Sequence, residues 1–199
     1  IEEIEKVEGI ERIRIGSIEP AFFTPEVIEK IKGFKKLCPH FHLSLQSGCD
    51  ATLKRMNRRY TAEEYAASVE LLRETLPDVS ISTDVIVGFP GETEEDFNET
   101  YKFLERIKLT KTHVFKYSPR KGTKAADMAD QIDGSIKDKR SKLLIELSNK
   151  NEKEFIVLTG IATDWRFDDT EKSAIENMDG YEKELDEMLA IRDGLGIQD

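Results

Sequence analysis

The stretch Val79-Ser-Ile-Ser-Thr-Asp-Val-Ile-Val-Gly-Phe-Pro-Gly-Glu-Thr93 decides the reading of the chain. Val79–Phe89 is an apolar, β-branched run of the kind that forms a strand buried on both faces. The turn residues Gly88-Phe89-Pro90-Gly91 then end it, and Thr93-Glu-Glu-Asp96 opens a helix with acids where the helix dipole favours them. A buried strand, a tight exit and a capped helix make one βα unit.

Outward from this unit the pattern recurs. Runs at Arg12–Ile18, Phe41–Gln46 and Thr112–Tyr117 read as further strands. Thr24 can cap a helix whose first position is Pro25, and Thr61-Ala-Glu-Glu64 has the spacing of a capping box. Helices are expected over residues 25–36, 62–75, 94–107 and Lys137–Phe155, the last with Leu143, Leu144, Leu147 and Phe155 on or near one face. Alternating strands and helices imply an α/β fold with a parallel sheet and helices outside it. Four such units are too few to close an eight-stranded barrel, so the expectation is a partial, open TIM-like barrel over residues 1–155.

Residues 156–199 read differently. Ile156–Ile161 is strand-like, an irregular stretch follows, and Glu171–Ile191 is an acidic helix candidate with Ile175, Met178, Leu185 and Leu189 along one stripe, a docking face. The net charge of −10 is concentrated there: residues 160–199 carry 12 acids against 4 bases, leaving 28 against 26 in residues 1–159. Basic clusters at Lys32–Lys36, Lys54–Arg59, Lys116–Lys124 and Lys137–Lys142 suit either solvated helix faces or phosphates.

At 199 residues and 38% hydrophobic content the chain can bury one sizeable core. It has no run of 18 apolar residues and no basic-apolar leader, so no membrane association is expected and a cytoplasmic location is. The start at Ile1, already in a helical pattern, reads as that of a fragment. Cys38 and Cys49, 11 apart, match neither a disulfide framework nor a common metal spacing. His40, His42 and His113 are scattered in sequence, with no hydrolytic or metal-like arrangement.

Ligands of parallel α/β folds bind where strands end, so the four exits carry the functional reading. They are Gly16–Pro20, Gln46–Asp50, Gly88–Thr93 and Tyr117–Arg120. Gln46-Ser47-Gly48 offers an amide, a hydroxyl and pliable backbone for a ribose or amino-acid head group, or else forms a turn in which Ser47 or Asp50 serves following N–H groups. Gly88–Thr93 lacks the Gly-Lys-Ser/Thr ending of a phosphate loop; its glycines allow close approach of an adenine ring against Phe89 or Ile86, or form a bare turn. Asp84, inside an apolar run, needs a partner, a ligand or the barrel mouth, and Arg58 is the attractive partner.

These exits, in this order, resemble the radical-SAM methylthiotransferases that modify adenosine beside the tRNA anticodon. The matching stretches are Arg12–Pro20, His42–Gly48, Leu53–Thr61, Thr83–Thr93 and Tyr117–Ala126, and the Ser-Ile-Glu-Pro and Tyr-Ser-Pro-Arg forms bring the threonylcarbamoyladenosine subgroup nearest. The resemblance implies a six-stranded partial barrel with S-adenosylmethionine across the strand ends. It puts Gln46 and Ser47 at the methionine or ribose, Arg58 at a carboxylate, and Gly88 and Phe89 at the adenine, with Asp84 and Tyr117 also on the cofactor and Glu19 and Arg120 on the substrate side. It further implies a [4Fe-4S] cluster, but the Cys-x3-Cys-x2-Cys motif that holds it in the family is absent from this chain, as are the family's amino-terminal and RNA-binding domains. The resemblance implies a transferase, and the missing motif leaves catalysis by this chain alone an open question. The alternatives are a non-catalytic nucleotide- or RNA-binding module, and an interaction protein acting through the acidic tail.

Overall fold

A computed structural model describes residues 1–76 and 78–159. The chain divides into a compact unit Ile1–Asn151 and a second unit Glu152–Asp199. The acidic helix candidate and the stripe at Ile175–Leu189 lie outside the described residues.

Four strands form one parallel sheet in the order β1-β2-β3-β4: β1 Ile13–Ile18, β2 Leu37–Leu43, β3 Ser80–Val87 and β4 Lys111–Lys116. The helices are α1 Glu2–Glu5, α2 Pro25–Lys32, α3 Asp50–Arg55, α4 Ala62–Thr75, α5 Glu94–Ile107 and α6 Gly134–Thr159. Thus the described residues supply four of the six strands that the resemblance implies. The expected helices 62–75 and 94–107 are found with those bounds, because both capping boxes form: Thr61 with Glu64 and Thr93 with Asp96.

One face of the sheet makes the core. Phe41 and Leu43 of β2 and Ile81, Val85 and Val87 of β3 are almost fully buried and cluster with Tyr65, Val69 and Leu72 of α4 and Phe97 and Leu104 of α5. Successive strand residues point to opposite faces, so the alternate residues His40, His42, Asp84 and Ile86 fall on the other, partly open face. That inner face is where a barrel holds its interior.

Two expectations are corrected. β2 begins at Leu37, four residues before the apolar run, and its ladder ends at Leu43. The edge of the pattern is polar because His40 and His42 face the interior rather than the helix layer. The strand-like Ile156–Ile161 does not begin a strand: α6 continues through Thr159. A short apolar run fits helix or strand by pattern alone, and the preceding Glu152-Lys-Glu154, good helix formers, carry the helix into it.

Candidate functional site at the strand ends

The crossing of β2 past β3 shapes the first part of the site. After Leu43 the chain leaves the regular ladder, and Thr83 and Tyr60 hold it: Thr83 Oγ1 accepts from Leu45 N at 3.1 Å, and the Tyr60 hydroxyl donates to Ser44 O at 2.7 Å. Gln46 then bonds β3 through its backbone, its N–H to Asp84 O at 2.8 Å and its carbonyl from Ile86 N at 2.9 Å. Gln46 sits at φ 70°, a left-handed conformation that glutamine rarely adopts and that the flanking bonds enforce.

Of the two readings of Gln46-Ser47-Gly48, the turn wins for Ser47. Its side chain is fully buried, shares a hydrogen bond of 3.1 Å with the Thr100 hydroxyl and accepts from Cys49 N at 3.2 Å. With its hydroxyl committed to the helix layer, Ser47 does not face the strand ends. Asp50 is also structural, accepting from Ala62 N at 2.8 Å, and so joins α3 to α4.

Arg58 and Glu19 come together around a cavity of about 340 Å³ lined also by Met56, Asn57 and Arg59. Arg58 Nη1 lies 3.9 Å from Glu19 Oε1, and both side chains keep access to solvent. The expected pairing of Arg58 with Asp84 is not what forms: Asp84 Oδ2 lies 3.3 Å from His42 Nε2. The reason is the pleat, which places Asp84 on the inner face beside β2 while Arg58 follows α3 at the rim.

At the third exit Gly88 has φ 70° and its N–H donates to Glu92 Oε2 at 2.7 Å. Glu92 is almost fully buried and is held by Arg140 of α6, whose Nη1 lies 2.6 Å from the same oxygen. Burial nevertheless outweighs these favourable partners and raises the Glu92 carboxyl above its ordinary range. Lys137, one turn earlier on α6, crosses Gly88 closely enough that a Cβ there would lie 2.3 Å from its Cγ. Its Nζ donates to Tyr117 O at 3.1 Å and stands 5.4 Å from the centre of the Tyr117 ring.

Phe89 and Tyr117 meet edge to face at 5.2 Å, joining the third and fourth exits in one aromatic wall. The Tyr117 hydroxyl is buried without a hydrogen-bond partner. Such a group ordinarily finds one, and a bound polar group is a ready candidate. Arg120 is exposed in the loop beyond.

Glu92, Arg140 and Lys137 were not among the sequence candidates. Glu92 stands in the third exit, four residues after Gly88, but nothing local announces a helix 48 residues later as its partner. The three histidines, scattered in sequence, also converge. His42 and His113 rings lie 5.9 Å apart, and His40 and His42 share Ser82. The spacing His-x-His on a strand was the available signal, since it puts both rings on one face.

The residues present do not fit an iron–sulfur cluster. Cys49 is buried, its thiol lies 3.5 Å from Asp96 Oδ1, and burial pushes its pKa up to about 11, which disfavours the thiolate a metal requires. Among the described residues no group of three or more His, Cys, Asp or Glu is placed to hold a metal ion.

In an open parallel sheet, polar and glycine-rich strand ends are where ligands bind. The sequence profile of the Radical SAM superfamily matches residues 1–104, and the chain belongs to that superfamily. It is 49% identical to the threonylcarbamoyladenosine tRNA methylthiotransferase MtaB of Bacillus subtilis strain 168 over 150 residues, covering 75% of this chain and 33% of that protein. It is 48% identical to the tRNA-2-methylthio-N(6)-dimethylallyladenosine synthase of Thermoanaerobacter pseudethanolicus over 144 residues, 72% of this chain and 31% of that protein. The resemblance to tRNA methylthiotransferases therefore holds, and the chain spans about a third of the length of these curated relatives. Among solved structures, the radical SAM enzyme coproporphyrinogen III oxidase of Escherichia coli superposes with a TM-score of 0.52 at 19% identity, covering 75% of this chain and 32% of that one, a likeness of fold.

Proposed function

We propose that residues 1–155 form the carboxy-terminal part of the catalytic barrel of a radical-SAM methylthiotransferase. The whole enzyme would add a methylthio group to C2 of N6-threonylcarbamoyladenosine beside the tRNA anticodon. The observation that carries this reading is the convergence of the exits: the Arg58 cavity, the Gln46 crossing and the Gly88–Phe89–Tyr117 wall all lie at the carboxyl ends of adjacent parallel strands.

In this reading Arg58 pairs with the methionine carboxylate of S-adenosylmethionine, displacing Glu19, and the Gln46 amide bonds the methionine or ribose. Gly88 and Phe89 face the adenine, and Tyr117 offers it an edge and a hydroxyl. Asp84 takes the inner side of the cofactor, and Glu19 and Arg120 stand on the side of the tRNA substrate. S-adenosylmethionine supplies the adenosyl and methyl groups; this chain's part is binding and orientation. The cluster would need ligands other than Cys38 and Cys49. Catalysis belongs to an assembly larger than this segment, in the cytoplasm where tRNA is modified.

Calorimetric titration with S-adenosylmethionine and S-adenosylhomocysteine tests the cofactor half of the proposal. Saturable binding is expected, weakened about tenfold or more in Arg58→Ala by loss of a charge-assisted contact. Absence of saturable heat with either ligand at millimolar concentration overturns it. The substrate half is tested by a chimera in which residues 1–155 replace the matching third of the Bacillus subtilis relative. Mass spectrometry of tRNA nucleosides should then find the methylthio group on threonylcarbamoyladenosine; its appearance only on another adenosine refutes that assignment.

A further inference from the structure

Two residues of β2 and two of β3 make a continuous polar chain across the inner face, apart from the strand-end cavity. Ser82 Oγ lies 3.0 Å from His42 Nδ1 and 3.4 Å from His40 Nε2, and His42 Nε2 lies 3.3 Å from Asp84 Oδ2. The ionised carboxylate accepts only, so it favours the proton of neutral His42 on Nε2. Nδ1 of His42 is then an acceptor, and the Ser82 hydroxyl donates to it. The Ser82 oxygen in turn accepts from Nε2–H of His40. Every link points toward Asp84.

Protonation of His42 reverses the serine. Nδ1–H of His42 would donate to Ser82, whose hydroxyl would turn to Nε2 of His40, which must then carry its own proton on Nδ1. The charge of one histidine and the tautomer of the other are therefore linked through a single hydroxyl. The charged groups around the chain are Arg14 of β1, which acts on His40, Lys111 of β4, in register with Ser82, and His113 of β4, in register with Asp84, its ring tilted by 33° to that of His42 at 5.9 Å. Burial first, and then Arg14 and His42, lower the proton affinity of His40, against a backbone hydrogen bond that raises it.

We infer that His40, Ser82, His42 and Asp84 form a proton relay across the inner face of the sheet, carrying a proton from His40 to Asp84. One proton enters at Nδ1 of His40. Nε2 of His40 passes its proton to Ser82 Oγ, Ser82 passes its own to Nδ1 of His42, and Nε2 of His42 passes its own to Asp84. The net result is one proton gained by Asp84, whose carboxyl keeps about a third of its side-chain exposure, 34%, and no electron is transferred. The relay is a property of the sheet and stands whether or not S-adenosylmethionine is the ligand.

Imidazole-labelled chain, studied by long-range ¹H–¹⁵N correlation across pH, reads it directly. Neutral His42 should carry its proton on Nε2, and the signals of His40 and His42 should each record both titration steps, as coupled sites do. Ser82→Ala should reduce each to a single independent step, and Ser82→Thr should restore the coupling. Identical curves in the parent chain and Ser82→Ala, or a neutral His42 with its proton on Nδ1, overturn the relay. If Ser82→Ala does not fold, Asp84→Leu serves: with the carboxylate acceptor gone, the share of neutral His42 carrying its proton on Nε2 should fall, and an unchanged share overturns the proposal.

Discussion

Arg140→Met should be the most damaging single substitution at the strand ends, although Arg140 lies 48 residues from the loop it holds. Its side chain is 5% exposed and that of Glu92 is 2% exposed, with Nη1 of Arg140 at 2.6 Å from Oε2 and 3.2 Å from the Glu92 carbonyl. Nη2 also reaches Glu94 at 3.1 Å. Methionine fills much of the volume but leaves the Glu92 carboxylate buried without its counter-charge, a change of about 3–5 kcal/mol. A domain has only about 5–15 kcal/mol in total, so much of the stability goes. In urea unfolding followed by far-ultraviolet circular dichroism, the midpoint at pH 7 should fall by roughly 1.5–2.5 M for a slope of about 2 kcal/mol per M.

The pH dependence has a definite sign. A carboxyl whose folded pKa is raised contributes stability that is present below its ordinary value of 4.5 and is lost as pH rises through the folded value. Removing Arg140 raises Glu92 further, so the variant should regain stability as pH falls from neutral toward that range. Glu92→Gln in the Arg140→Met background should recover much of the loss at pH 7, because an amide can still accept from Gly88 N. A midpoint shift below roughly 0.5 M, or a double variant no more stable than Arg140→Met, refutes the reasoning.

Other expectations follow from single contacts. Gly88→Ala should destabilise by about 1–2 kcal/mol from its left-handed backbone alone, and Lys137→Ala in the same chain should relieve the added clash, both read by thermal unfolding. Glu19→Gln should tighten S-adenosylmethionine binding severalfold in calorimetry by freeing Arg58, a modest effect because the pair is exposed. His40, whose proton affinity is lowered, contributes stability that is complete above its ordinary value of 6.5 and is lost as pH falls through the folded value; His40→Gln should flatten that part of the stability curve. Thr61→Ala removes the cap that accepts from Glu64 N and should lower stability by about 1 kcal/mol.

Much of the fold is legible in local signals of the sequence. The capping boxes at Thr61 and Thr93 act within one turn, so their helices begin where those motifs stand. The buried run of β3 and the turn at Gly88 are likewise short-range patterns, and five motifs in register are enough to point to the family. Short-range pattern fails where two states share it. Ile156–Thr159 continues a helix, and Ser47 caps a turn, although hydrophobicity and hydroxyl chemistry equally suited a strand and a ligand contact.

By itself, then, the sequence determined the alternation of strands and helices, the parallel sheet and the chemical character of its exits, because propensity, capping and turn formation depend on neighbours a few residues apart. Only the tertiary structure decided which side chains meet: Glu92 with Arg140, Lys137 over Gly88, Arg58 with Glu19 rather than Asp84, and His40 and His42 through Ser82. Those partners are set by strand register, the alternation of faces and the crossing of α6 over the strand ends. These are long-range quantities, fixed by packing the whole unit and by the need to pair buried charge, and no local window of residues contains them.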